Sequence, residues 1–261
     1  MPKLAANLSL LFPQMDFLDR FAAAARAGFR HVEYQLPYAW PAAAIAERAS
    51  AAGIEVVLHN VPAGDAQKGD RGIACLPERV SEFREGVERA IGYAKLARCP
   101  RLNCLAGVVP PDAVRSRHFD TLVENVKFAA GRLAAAGIQL MIEPVNTRTV
   151  PGFFLTSSRQ AIEVLDAAGS ANAWLQYDIF HMQIMEGDLA RTIERLLPRI
   201  GHMQLADVPD RHEPGTGEIH FDFLLRHIDR IGYAGWIGCE YNPLGDTSEG
   251  LAWAKPYLRQ A

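Results

Sequence analysis

The chain has 261 residues, 49% of them hydrophobic, and a formal charge of −3 with a pI near 6.2. That length suits one large domain with an extensive core, and the charge leaves no basic footprint for nucleic acid and no Lys/Arg-rich run for a membrane surface. The opening MPKLAANLSLLF is soon interrupted by Pro13, Gln14 and Asp16, so it does not read as a signal peptide, and no apolar run approaches spanning length. A cytoplasmic protein acting on a small molecule is the expectation.

In chain order, strand-like runs fall at residues 4–10, 31–35, 55–59, 101–105, 139–145, 174–178, 201–206 and 236–241. Helix-period segments follow them at 17–27, 41–52, 77–96, 112–136, 156–168, 188–197, 221–231 and 247–258. Gly28, Gly53, Gly137 and Gly169 each stop a helix-forming run a few residues before the next strand. RAGFRHVEY, AAGIEVVLH and AAGIQLMIE share this helix-end, glycine, strand template. The rhythm predicts an α/β fold, a single (β/α)8 TIM barrel occupying residues 1–261. An open doubly wound sheet would normally carry a glycine-rich loop after its first strand, and ANLSLLFPQMDF contains no glycine. The long unpatterned segment 60–76 follows the third strand, on the face where barrel enzymes act, and is expected to serve as a lid; residues 208–219 form a second loop of the same kind.

The last four strands each end on a hard oxygen donor: Glu143 in QLMIEPVN, Asp178 in WLQYDIFH, Gln204 in HMQLAD and Glu240 in WIGCEYN. Parallel strands deliver such ends to one rim. Three carboxylates brought together repel one another unless a cation neutralises them, and with the Gln204 carbonyl they make a donor set suited to Mg²⁺ or Mn²⁺. Cys75, Cys99, Cys104 and Cys239 include no CxxC pair and suggest neither a disulfide nor a zinc–thiolate site. His202 shares strand parity with Gln204 and should point into the barrel as a supporting residue. His181, three residues beyond Asp178, is placed to bond a substrate oxygen or to orient Glu143. Arg211 is the candidate for gripping an anionic carboxylate. His59, Asn60, Asn7 and Asn103 end earlier strands and are expected to line the rest of the pocket.

IEPVN, QYDIFHMQ, HMQLAD with RHEPGTGEIHFD, and GCEY resemble the hydroxypyruvate isomerase family within the xylose isomerase-like TIM barrels. ANLSLLF, LHNVPAGDAQKGDRGIACLP and LVENVKFAA extend the likeness over nearly the whole chain. The resemblance implies a divalent metal held by Glu143, Asp178, Gln204 and Glu240, with Glu143 and Glu240 exchanging the substrate proton and His181 and Arg211 touching substrate. Gln204 stands where the wider superfamily more often has histidine, a departure associated with the hydroxypyruvate isomerase group. The implied reaction interconverts hydroxypyruvate and 2-hydroxy-3-oxopropanoate. Alternatives are a 2-oxo-tetronate isomerase, a ketose 3-epimerase, or a non-catalytic sugar-acid binding protein. A metal-dependent endonuclease on the same barrel would need further metal ligands and a basic rim, and the sequence offers neither. Homo-oligomers are frequent among such barrels, and one is expected here only by that analogy.

Overall fold

The structure, a computed structural model, describes residues 1–258, so the last three residues of the expected 1–261 domain lie outside the description. Eight parallel strands close on themselves in sequence order: β1 (Lys3–Asn7), β2 (His31–Tyr34), β3 (Glu55–Asn60), β4 (Arg101–Cys104), β5 (Gln139–Ile142), β6 (Ala173–Asp178), β7 (Ile200–Leu205) and β8 (Trp236–Cys239). Pairing of β8 with β1, from Lys3 beside Trp236 to Ala6 beside Cys239, removes both sheet edges. Outside them lie α1 (Arg20–Arg26), α2 (Ala42–Ala51), α3 (Val80–Ala97), α4 (Arg115–Ala134), α5 (Ser158–Ala168), α6 (Ile179–Met185), α7 (Leu189–Leu196), α8 (Phe221–Arg230) and α9 (Lys255–Leu258).

The helices dock by the apolar stripe their spacing creates. In α4 the buried residues Leu122, Val126, Ala129, Ala130 and Leu133 recur at three- and four-residue intervals on one face. Each large aliphatic side chain so buried stabilises the fold by roughly 1.5–3 kcal/mol. Gly28, Gly53, Gly137 and Gly169 all take positive φ at the helix ends, as their positions in the sequence imply. Two elements differ from expectation. The segment after β6 is helical, because the Asp178 side chain accepts the Phe180 N–H at 2.8 Å and so caps α6. The stretch 247–258 is a 3₁₀ helix, Glu249–Ala254, running into α9; Gly250 weakens an α-helix there and Pro256 cannot donate to one.

Inside the barrel the filling changes with height. A small cluster of Ala5, Val57, Leu58 and Met141, with Trp174 and Trp236 against it, forms an apolar plug. Toward the C-terminal rim the interior carries Glu33, Gln176, His202 and Gln204, all buried. The loop after β3 forms one wall of a cavity at that rim and is tied down at both ends of its turn. Arg79 holds Asp70 at 2.7 Å, and Gly72 bridges to Ala106 with φ +106°. A Cβ on Gly72 would lie 2.4 Å from the Leu105 carbonyl oxygen, so only glycine permits this approach. The four cysteines are buried free thiols. Among the described residues no helix is long and apolar enough to cross a membrane.

Gly238 leaves the space that Glu33 occupies, since a Cβ there would come within 2.2 Å of a Glu33 carboxylate oxygen. Gly238→Ala should therefore destabilise the fold by about 1–3 kcal/mol through overpacking, read as a lower midpoint in chemical denaturation; an unchanged midpoint would show that Glu33 can move aside without cost.

Candidate active site

The rim gathers the predicted acids. Asp178 is the last residue of β6, Gln204 pairs with it across β6 and β7, and Glu143 and Glu240 stand one residue beyond β5 and β8. All four are buried, at 5% exposure or less. Burial raises the Glu143 carboxyl well above its ordinary range, with Glu240 and Asp178 adding like-charge repulsion. Burial likewise raises Asp178, and it pushes Glu240 up to about 7 even though Arg211 pulls in the other direction. Arg211 answers part of this charge: its Nη2 donates to Asp178 Oδ2 at 3.2 Å and to Glu240 Oε2. Burial alone would lower the arginine, but Glu240, Asp178 and Glu143 outweigh it and hold the guanidinium charged. The expected cation is thus in the site, facing the protein's own carboxylates.

A buried acid that the strand-end pattern does not reveal organises the floor. Glu33, fully buried in β2, accepts from Asn7 Nδ2 at 2.9 Å and Gln204 Nε2 at 2.8 Å, and its other oxygen lies 2.6 Å from His202 Nε2. His202 therefore points into the barrel, as its parity implies. The only sequence signal for Glu33 was an acid inside the strand-like run HVEY, at the parity of His31. By engaging the Gln204 nitrogen, Glu33 fixes the amide so that its oxygen faces the other way, where Gln176 Nε2 donates to it at 2.6 Å. Asn7 also reaches Glu240 Oε1 at 3.1 Å, and Gln35 Nε2 donates to the same oxygen at 2.8 Å.

Ligand atoms of Glu143, Asp178 and His181 lie within 4.8 Å of one another, a cluster that can hold a metal ion. The hydrogen bonds of His181 bear on which residues do so. Asn146 Oδ1 accepts from Thr149 N at 2.8 Å and Thr149 Oγ1 at 3.1 Å, which orients the Asn146 amide so that its Nδ2 faces His181 Nδ1 at 2.6 Å. The Asn146 backbone N–H donates to the same nitrogen. Nδ1 is therefore an acceptor, and a neutral ring then carries its proton on Nε2, which faces Asp178 Oδ2 at 3.4 Å and, at the same distance, the Arg211 Nη1 donor. A protonated Nε2 donates and cannot ligate. Burial, helped by Arg211, depresses His181 well below its ordinary value and keeps it neutral. The donor set that remains, three carboxylates and an anchored amide oxygen, fits a hard divalent cation by its chemistry.

The other predicted residues divide. Asn7 lines the cavity. Asn103 is fully buried outside the lining and donates to Glu143 Oε2 at 2.7 Å, so it holds the glutamate. His59 does not line the cavity: it is fully buried, stacked on Tyr34 with ring centroids 5.8 Å apart, and burial lowers it to about 4. Successive strand residues face opposite sides, and at this strand end the residue facing the cavity is Asn60. The loop after β7 is built on Asp207, whose carboxylate accepts four backbone N–H groups, from Val208, Gly215, Gly217 and Ile219, while its carbonyl accepts from Arg211 N. That loop aims Arg211, itself at φ +62°.

Residues 21–257 match the sequence profile described as xylose isomerase-like TIM barrel. The chain belongs to this family. It is 47% identical to the hydroxypyruvate isomerase of Escherichia coli K12 over 98% of this chain and 100% of that one. It is 44% identical to the 2-oxo-tetronate isomerase of Pectobacterium atrosepticum, over 100% and 99% respectively. A crystal structure titled AP endonuclease, family 2, from Brucella melitensis superposes with TM-score 0.96 at 42% identity, covering 98% and 99% of the two chains. A D-allulose 3-epimerase from Methylomonas, at 20% identity and TM-score 0.75, shares the fold. Identity of this order to named isomerases over the full length makes this family member an isomerase.

The crowded carboxylates have a consequence for stability in chelator-treated protein. Glu240 holds its proton more tightly folded than unfolded, so the stability it contributes is complete below about pH 4.3, the ordinary glutamate value. That contribution is lost as pH rises through about 7. The thermal midpoint of the chelated protein should fall across that window relative to Glu240→Gln, and added Mn²⁺ should recover the difference. A difference that stays flat with pH would mean the site does not strain the carboxylate.

Proposed function

We propose that this isomerase interconverts hydroxypyruvate and 2-hydroxy-3-oxopropanoate by moving a proton between adjacent carbons, with Glu143 and Glu240 as the proton carriers. The observation that carries the reading is the pair of buried glutamates, both held above their ordinary pKa, lining one cavity of about 350 Å³. A cavity near the lower end of ligand-site sizes suits a substrate of three or four carbons. Burial raises Glu240 to about 7, which suits proton exchange, and raises Glu143 in the same direction; a bound cation would lower both, so the exchange rests on where the two carboxylates stand in the cavity.

In the forward direction one glutamate takes the proton from C3 of hydroxypyruvate. The C–H electron pair becomes the C2=C3 bond of an enediolate, and the C2 carbonyl oxygen takes the charge. Delivery of a proton to C2, with the C3 hydroxyl proton passing to the C2 oxygen, gives the aldehyde, and no atom is gained or lost. Glu143, Asp178, Gln204 and Glu240 would hold the divalent cation, Mg²⁺ or Mn²⁺, which when bound supplies positive charge that favours the enediolate. Asn103 keeps Glu143 in place, and Asn7 and Gln35 keep Glu240 in place. His181, through its Nε2–H, and Arg211 are the donors for the substrate oxygens. Burial of both glutamates keeps bulk water from the enediolate, while their own protons exchange with solvent between turnovers.

The relatives named 2-oxo-tetronate isomerase support a second reading with the same chemistry on a four-carbon acid. Turnover should be lost on chelation and restored by Mg²⁺ or Mn²⁺, tested with hydroxypyruvate, 2-dehydrotetronate and a ketohexose side by side. Preference for 2-dehydrotetronate would shift the substrate, preference for the ketohexose would favour an epimerase, and inactivity on all three would refute an acid isomerase. In D₂O the product from hydroxypyruvate should carry deuterium at C2. Glu143→Gln and Glu240→Gln should each lower kcat by about 10²–10⁴-fold, the ordinary worth of a general acid–base group; a loss of less than about tenfold in both would remove them from the chemistry.

A further inference from the structure

We infer that Arg71, in the loop after β3, is the residue that binds the substrate's carboxylate and so selects an acid over a neutral ketose. This rests on the reading of the chain as an isomerase of small 2-oxo acids. Such a substrate brings a negative charge into a cavity already lined by Glu143 and Glu240, with Asp178 beside them. The lining contains two arginines and no lysine. Arg211 is engaged by Asp178 and Glu240, and those acids exceed its single charge. His181 is neutral. The Asp70 carboxylate, also in the lining, is paired at 2.7 Å with Arg79, which Glu82 shares.

Arg71 is the remaining cation. Among the described residues it makes no ion pair, and its recorded side-chain bond runs from Nη1 to the Asp70 carbonyl at 2.7 Å. The rest of its planar five-donor fork is available for a carboxylate, which it can grip with two parallel bonds. Its backbone is fixed on both sides. Asp70 is locked by Arg79 and by the Asp65 N–H at 2.6 Å, and Gly72 donates to the Ala63 carbonyl and bridges to Ala106. The anchored backbone on either side holds the exposed Arg71 at the cavity wall, so only its side chain has to order when it binds an anion.

The test uses full-length, metal-loaded protein. Arg71→Ala should raise KM for hydroxypyruvate roughly 10–100-fold, the worth of a hydrogen-bonded charge pair, with kcat within about threefold. Inhibition by hydroxyacetone, which keeps the hydroxyketone and lacks the carboxylate, should be unchanged, and Arg71→Lys should restore part of the loss. Unchanged KM in Arg71→Ala, or an equal weakening of hydroxyacetone, overturns the assignment while leaving the isomerase reading intact. Wild-type protein inactive on both hydroxypyruvate and 2-dehydrotetronate overturns that reading, and the assignment with it.

Discussion

Glu143, Asp178 and Glu240 are negative groups forced into a space with little water, and the architecture at the barrel mouth is arranged around that conflict. Three responses are built into the chain. Arg211 brings one positive charge from outside the barrel, amides from Asn7, Gln35 and Asn103 each hold a carboxylate oxygen, and the affinity of Glu143 and Glu240 for protons rises. None of these removes the excess negative charge. A site in that condition has a standing attraction for a hard cation.

The barrel makes the conflict tolerable by dividing its interior. Lower down, Ala5, Val57, Leu58 and Met141 close the bore, while a far larger apolar core of strand, helix and loop side chains stabilises the fold. Higher up, Glu33 of β2 ties together Asn7 of β1 with His202 and Gln204 of β7. Because it accepts from both Asn7 and Gln204, the orientation of one residue limits that of the other. Gly238 is part of the same arrangement, since its missing side chain is the room in which Glu33 stands.

Much of this was legible in the chain itself, for identifiable reasons. Strand and helix alternation, with glycines ending the helices, sufficed for the barrel because each unit repeats the same local logic. The strand-end acids were visible because parallel strands send equivalent positions to one rim. Glu33 was hidden because it lies inside a strand, where an acid looks like an ordinary surface alternation until the closed barrel turns that face inward. His59 was misplaced in the cavity lining by one residue of parity, and α6 was missed because the cap that starts it, Asp178, was read only as a ligand. The charge balance between Arg211 and Arg71 was out of reach, since it depends on which side chains meet across loops distant in sequence.

The Asp207 loop separates two kinds of change that an enzyme can undergo. Its shape is held by one carboxylate and four backbone N–H groups, and it is tied to the segment after β8 where Asn242 N donates to the Arg211 carbonyl. The opposite wall, bearing Arg71, is likewise a self-braced loop. Substitutions or insertions in the Arg71 wall can therefore reshape what is admitted without disturbing Glu143 and Glu240, whereas the Asp207 loop carries Arg211 onto Glu240. In such a molecule the range of substrates can drift over generations while the reaction itself stays fixed.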